Sequence, residues 1–385
     1  MIGLLIVIYI VFISLGLPDS LLGVSWPVVH LEFGMPESFA SVYSVIIGVC
    51  TSGVSFIAGK LIRKFGTGKV TLFSILLTAF GLLGISFSPN LFVMILFSIL
   101  MGYGAGAIDT GLNSYVSLHY KASHMNWLHC FWGVGVTLSP MIMSRFLAGE
   151  AGFWRQGYRV VAVLELAIAA LVLLTIKKWS ADAPQEEKTE KAPEKSFWEL
   201  MKLPGMGTSV LSLGLYCAGE SVIGTWGATF AVNYFHLTPD VAAKWVSLYY
   251  TGIMLGRMVS GFASMRISDN GLIRLGMGIS AVGMVVLALP VGSVALVGLL
   301  LIGFGFGPVF PSVIHCVPAR FGSVYSADIT GYHMGGAYAI GLITQVAFGF
   351  VATGTTFAIT PFVLLLLCGG VVLSNGATVR KLGKK

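Results

Sequence analysis

Twelve apolar stretches, each long enough to cross a membrane as a helix, follow one another along this chain of 385 residues. A hydrocarbon core of ~30 Å takes about 20 helical residues to span. The stretches run over 2–30, 38–62, 69–89, 92–118, 124–147 and 157–177, then over 205–234, 241–264, 272–291, 292–317, 325–350 and 355–377. With no water in the bilayer to satisfy backbone N–H and C=O groups, such segments must bond internally as helices. The expected fold is an all-α membrane protein with twelve transmembrane helices. A membrane barrel would need short strands of alternating polarity, which the sequence lacks. Composition agrees, because 10% charged residues against 56% hydrophobic ones cannot clothe a soluble domain of this size. The first stretch has neither a basic leading region nor a small-residue cleavage site, and so reads as a spanning helix rather than a secretory signal.

A single long polar segment interrupts the pattern, KWSADAPQEEKTEKAPEKSFWELMK at 178–202. Rich in Lys, Glu, Pro and Ala, it reads as a solvated linker between a six-helix half at 1–177 and another at 203–385, with Phe197 and Trp198 suited to the membrane surface. Most Lys and Arg residues fall in one alternating set of loops, in the linker and in the C-terminal tail. The opposite set holds Arg145, Arg155, Arg159 and Lys244. Positive charge gathers on the cytoplasmic side, which puts both termini in the cytoplasm and the protein in the plasma membrane. The net charge of +7 is explained by topology and gives no reason to expect a nucleic-acid partner. Cys50, Cys130, Cys217, Cys316 and Cys368 sit inside apolar stretches without metal-ligand spacing, so neither a metal nor another cofactor is expected.

The two halves repeat one another. Asp19-Ser20 in GLPDSLLG and Glu220-Ser221 in CAGESVIG share the pattern acid-Ser-apolar-apolar-Gly at a separation of 201 residues. Gly102, Gly104 and Gly106 of MGYGAGAIDT correspond at the same separation to Gly303, Gly305 and Gly307 of IGFGFGPVFP. The Gly spacing has no preceding strand and reads as close helix packing rather than a dinucleotide loop. Six helices per copy give parallel repeats, an architecture in which transporters hold substrate near the midplane between halves.

Over its whole length the chain resembles the major facilitator superfamily, in its two sets of six helices, its central linker and its basic Gly-rich loop GKLIRKFGTGK, echoed by GFASMRISDNG. It departs from that pattern at Arg63-Lys64, where an Asp and a basic residue are usual; Asp269 and Arg257 are left as gate partners. Within the superfamily the first half is most similar to the fucose/glucose/galactose proton-symporter group, on Gly16-Leu17-Pro18-Asp19 and on Asp109-Thr110-Gly111-Leu112-Asn113. The resemblance implies a monomeric transporter that moves a sugar with protons, its helix 1 and helix 4 acids serving recognition and proton uptake.

Read from the residues, Asp19, Asp109 and Glu220 are carboxyls within apolar helices, costly there by about 2.5–3.5 kcal/mol each and therefore functional candidates. Helices 1, 4 and 7 carry no central Lys or Arg, so these acids have no evident ion-pair partner and suit reversible protonation. Asp109 is the expected proton carrier, because the repeat has Phe310 at its counterpart. Helical spacing aligns Asp19, Gly23, Trp26 and His30 on one stripe, and Asp109 with Asn113. Asn126, His129 and Trp132 on helix 5, Tyr216, Glu220 and Trp226 on helix 7, and His333 on helix 11 complete the expected substrate site. Amides, imidazoles and indoles together suit a polyhydroxylated ligand, whose hydroxyls need partners and whose C–H face stacks on rings. Asp328 lies too near a helix end, and Glu165 has no counterpart in the repeat; both stand outside this set.

Proton-driven export of drugs or metabolites is the alternative. Exporters of the superfamily carry a Gly-Pro-rich signature on helix 5, where this chain reads GVGVTLSPMIM. An intramembrane enzyme is disfavoured, since there is no HExxH, no GxSxG and no carboxylate cluster with metal spacing.

Overall fold

A computed structural model describes residues 2–19, 21–35, 39–147, 153–181, 195–237 and 239–383. All regular structure among them is helical. In chain order the elements are α1 (Ile2–Gly16), α2 (Leu21–Glu32), α3 (Phe39–Phe65), α4 (Thr67–Ser86), α5 (Leu91–His119), α6 (Ala122–Leu147), α7 (Trp154–Ala181) and the short α8 (Phe197–Met201). They continue with α9 (Met206–Phe235), α10 (Pro239–Ala263), α11 (Asp269–Leu287), α12 (Gly292–Phe306), α13 (Val309–His315), α14 (Val317–Phe321), α15 (Ser326–Gly354), a 3₁₀ turn (Phe357–Ile359) and α16 (Thr360–Leu382). Among the described residues, 8 helices are long and apolar enough to cross a membrane. The protein is an integral membrane protein.

The first expected span is divided into two helices. The chain turns at Leu17–Asp19 between α1 and α2, because Pro18 has no N–H to continue the intrahelical ladder. The tenth expected span is likewise divided, with Gly307 and Pro308 between α12 and α13.

The helices gather into two compact units. The first comprises Met1–Tyr115 and Phe131–Ala192, the second Val116–Cys130 and Pro193–Lys385. The last turn of α5 and the start of α6 thus group with the second unit, whereas the sequence division assigned them to the first half. In the first unit α4 packs on α7 and α3, and in the second α9 packs on α15, α16 and α10. Leu82, Met94, Met143, Trp154 and Tyr158 form the heart of the first unit's core.

The repeated glycines do the same work in both units. A Cβ on Gly102 would stand 2.8 Å from the Ile47 carbonyl oxygen of α3, and one on Gly104 2.7 Å from the Ser74 carbonyl oxygen of α4; Gly106 abuts the Thr51 carbonyl. In the second unit Gly303 abuts the Tyr249 carbonyl of α10, Gly305 meets Gly276 of α11, and Gly307 lies against Gly256. Each glycine row lets one helix touch two neighbours at backbone distance. Hydroxyls then bridge the seam, Thr51 donating to the Gly102 carbonyl at 3.1 Å and Ser55 to that of Gly106 at 3.3 Å. Gly106→Ala is therefore expected to lower stability by about 1–3 kcal/mol through overpacking. Gly111→Ala on the same helix, whose Cβ would find its nearest neighbour at 3.8 Å, should be neutral or slightly stabilising. Thermal unfolding of the two variants in detergent makes the comparison, and equal effects would defeat the close-packing account.

Before α9, Ser196 and Glu199 form a capping box. The Ser196 N–H donates to Glu199 Oε2 at 2.7 Å, and the Glu199 N–H donates to Ser196 Oγ at 3.3 Å. The Ser196 N–H and the Ser196 hydroxyl, which also donates to Glu199 Oε2 at 2.7 Å, hold the Glu199 carboxyl below its usual range. Phe197 rests its ring on Tyr332, and Trp198 is exposed, as a surface-lying segment requires.

Candidate functional site

Breaking the first span presents Asp19 at the turn, exposed rather than threaded through a continuous helix. The indole N–H of Trp132 on α6 donates to Asp19 Oδ2 at 2.8 Å. α6 can reach it because α1 and α6 meet at two glycines, Gly16 against the Trp132 carbonyl and Gly135 against the Ile13 carbonyl. Beside Asp19 lies a cavity of about 240 Å³, with walls that include Pro18, Tyr43, Thr78, Tyr158 and Glu165. Glu165, which stands outside the residues expected from the sequence, is a principal polar wall. Its signal was an isolated carboxyl in an apolar run, the same signal that singled out Asp109.

Asp109 and Asn113 come together as their spacing predicts. The Asn113 amide donates to Asp109 Oδ1 at 2.7 Å and to its main-chain carbonyl at 2.9 Å, with both side chains buried. Neither belongs to the cavity walls around Asp19, to which α5 gives Met101, Ala105 and Ile108. Within the first unit the two acids thus occupy different surroundings. The Trp26 and His30 side chains and Gly23 fall outside the described side chains.

In the second unit the predicted residues converge on one the sequence reading had held only as a gate partner. Arg257 of α10 is 3% exposed, and its Nη2 stands 3.8 Å from Glu220 Oε1 on α9. The expectation that Glu220 has no cationic partner is therefore corrected: the partner comes from α10, which a survey of helices 1, 4 and 7 passes over. Tyr216 and Tyr249 are further electrostatic neighbours of the guanidinium. The same arginine donates from Nη1 to the His129 carbonyl at 3.5 Å, and one turn on, Ser260 Oγ donates to Asn126 Oδ1 at 2.5 Å. The His129 ring meets the Phe310 ring edge-on at 4.9 Å, so the repeat counterpart of Asp109 serves as an aromatic wall. Asn126, His129 and Tyr216, all buried, thus form one cluster with the half-buried Glu220.

Two other predicted residues are occupied elsewhere. His333 is fully buried, with Nδ1 2.8 Å from the Ile329 carbonyl and Nε2 2.8 Å from Ser209 Oγ, so both ring nitrogens are committed to packing. The Trp226 indole donates to the Gln345 carbonyl at 2.9 Å and lies tilted against the Phe357 ring at 5.9 Å. Spacing along one helix could not reveal Ser209 or Gln345, which lie more than a hundred residues away. Asp269 is not a partner of Arg257; its carboxylate pairs with His315 at 2.8 Å.

A profile described as the Major Facilitator Superfamily matches residues 8–344. The chain belongs to this superfamily. Membership of this superfamily makes it a transporter rather than an enzyme. It is similar to the glucose/mannose transporter GlcP of Bacillus subtilis, 23% identical over 58% of this chain and 57% of that one. It is also similar to the glucose/galactose transporter of Brucella abortus, 21% identical over 73% and 72%. A putative metabolite transport protein of Bacillus subtilis, YwtG, is 31% identical over 40% of this chain and 34% of the other. The chain thus spans about a third to just over half the length of the two Bacillus relatives. Its fold is similar to that of FucP, whose structure was solved in the outward conformation, with a TM-score of 0.82 at 15% identity over 97% and 98% of the two chains.

Proposed function

We propose that this transporter is a proton-driven symporter of a sugar or a similar polyhydroxylated molecule, working by alternating access. In this reading twelve spans form two six-helix halves, 1–177 and 203–385, joined by a cytoplasmic linker, with both termini cytoplasmic. The observation that carries the reading is the Asp19–Trp132 pair beside the cavity. A carboxylate accepts hydroxyl hydrogens while an indole offers an apolar plate, the combination that a sugar ring needs. The glucose/mannose and glucose/galactose relatives support it. Asp109, bonded to Asn113, is the proposed proton carrier, Asp19 a substrate contact with a share in coupling, and Glu220 the acid of the Arg257 cluster. Asn126, His129, Trp132 and Tyr216 are the further proposed contacts.

Uptake of a sugar panel into proteoliposomes under an imposed pH gradient tests this. Accumulation that follows the gradient supports it; accumulation driven by sodium instead, or none for any sugar, defeats it. A second reading, proton-driven export, draws on the efflux pump DEP3 of Alternaria brassicicola, 27% identical over 51% of this chain and 32% of that one. Sugar-independent proton flux released by lipophilic cargo would favour it. Within the symport reading, Trp132→Phe keeps the ring and removes the N–H donated to Asp19. A hydrogen bond to a charged group is worth about 1.5–3 kcal/mol, and exposure of Asp19 puts the effect at the lower end. The expected result is a KM for sugar raised about tenfold with the dependence on the pH gradient intact. An unchanged KM would remove Trp132 from the site.

A further inference from the structure

Glu165 lies in α7, 1% exposed, with its carboxyl in the wall of the first unit's cavity. Oε2 is 3.1 Å from Ser14 Oγ and 2.9 Å from Thr78 Oγ1. Among the described residues Oε1, which is buried, has no hydrogen-bond partner. Among them no lysine or arginine pairs with the carboxyl, and the surrounding groups that titrate are Asp19 from the α1–α2 turn, Tyr43 from α3 and Tyr158 from its own helix. α4 and α5 contribute Thr78, Met101, Ala105 and Ile108 to the same walls and no charge.

Thr78 decides what the cage can do. Its hydroxyl stands 2.9 Å both from the Ile75 carbonyl and from Glu165 Oε2, yet a hydroxyl has one hydrogen to give. When the carboxyl is protonated, its O–H donates to Thr78 Oγ1 and Thr78 donates to the Ile75 carbonyl. When the proton has left, Thr78 turns its hydrogen towards Oε2 and Ser14 continues to donate. Rotation of a single hydroxyl thus completes the bonding of Oε2 in either protonation state. A structural acid needs only one such arrangement. A bare carboxylate without a cation is costly to bury, and the cavity that Glu165 lines is the route by which a proton can reach or leave it.

We propose that Glu165 is a proton-binding site of the transport cycle, exchanging its proton through the cavity with Asp19 as its electrostatic partner. Loading forms an O–H bond at Oε2 at the expense of a proton from the cavity; unloading returns that proton to the cavity and leaves the anion held by Ser14 and Thr78. The proposal deepens the symport reading, which assigned the proton to Asp109, by adding a second carboxyl in a different part of the first unit.

Infrared difference spectra of the full-length protein in lipid, recorded between acid and alkaline pH, test it without any sugar. Recorded in Asp109→Asn, which silences the other proposed proton-binding carboxyl, the spectrum is expected to lose C=O absorption of buried carboxylic acid as pH rises. Adding Glu165→Gln, which retains the shape and can still bond Ser14 and Thr78, should remove a component of that absorption, and Glu165→Asp should restore one. Asp19→Asn should keep that component and move the pH at which it vanishes. A difference spectrum unchanged by Glu165→Gln, or a midpoint untouched by Asp19→Asn, overturns the proposal. Wild-type sugar accumulation without a Glu165 titration defeats this inference alone; an intact titration with no sugar transported defeats the symport reading alone.

Discussion

Arg257→Met is expected to abolish uptake and to be the most destabilising single substitution among the residues of the second unit's cluster. The guanidinium is almost wholly buried, with side-chain exposure of 4% against 20% for Glu220, at 3.8 Å. Removing one partner of a buried pair leaves an uncompensated charge and costs about 3–5 kcal/mol. Partial exposure of Glu220 lets water soften the loss, so the lower part of that range is expected. The guanidinium also holds the His129 carbonyl, so the substitution loosens the start of α6 as well. Adding Glu220→Gln should recover much of the stability, since a neutral pair leaves no stranded charge, but not uptake. Unfolding of both single variants and the double variant supplies the cycle that isolates the coupling. Additive losses would mean that the two side chains are neighbours without being partners.

The second large effect is expected at Asp109. A pH gradient of one unit is worth about 1.4 kcal/mol per proton, which drives about tenfold accumulation. Asp109→Asn should reduce that accumulation to equality across the membrane while sugar exchange between the two sides continues. The amide can still accept from Asn113, so the local fold is retained; what it cannot do is gain and lose the proton. Gradient-driven accumulation surviving in Asp109→Asn would pass the carrier role to another carboxyl, with Glu165 next in line. Loss of exchange and accumulation together would make Asp109 a packing or binding residue rather than the coupling one.

Spacing along a single helix revealed some contacts and missed others, and the division is physical. Asp109 and Asn113 bond because residues four apart on a helix must be neighbours. The glycine rows were legible because small residues repeated in register have little use in a membrane other than close approach. Trp132 and Asp19, by contrast, are 113 residues apart, and Glu220 and Arg257 lie on different helices; neither pairing follows from any period. Glu165 was set aside because the repeat gives it no counterpart, yet its partners Ser14 and Thr78 come from α1 and α4. His333 looked like a cavity residue until the tertiary structure supplied Ser209 for its second nitrogen.

The sequence by itself determined the solvent of this protein and its helical character, because hydropathy is a property of each segment and a bilayer leaves the backbone few alternatives. It also determined the repeat and the places where helices touch backbone to backbone. Only the tertiary structure decided which cation faces Glu220 and which buried carboxyl stands beside an open cavity. Those outcomes depend on how helices distant in sequence pack, and burial makes each such pairing decisive, since in a dry interior a charge with a partner and a charge without one differ by several kcal/mol.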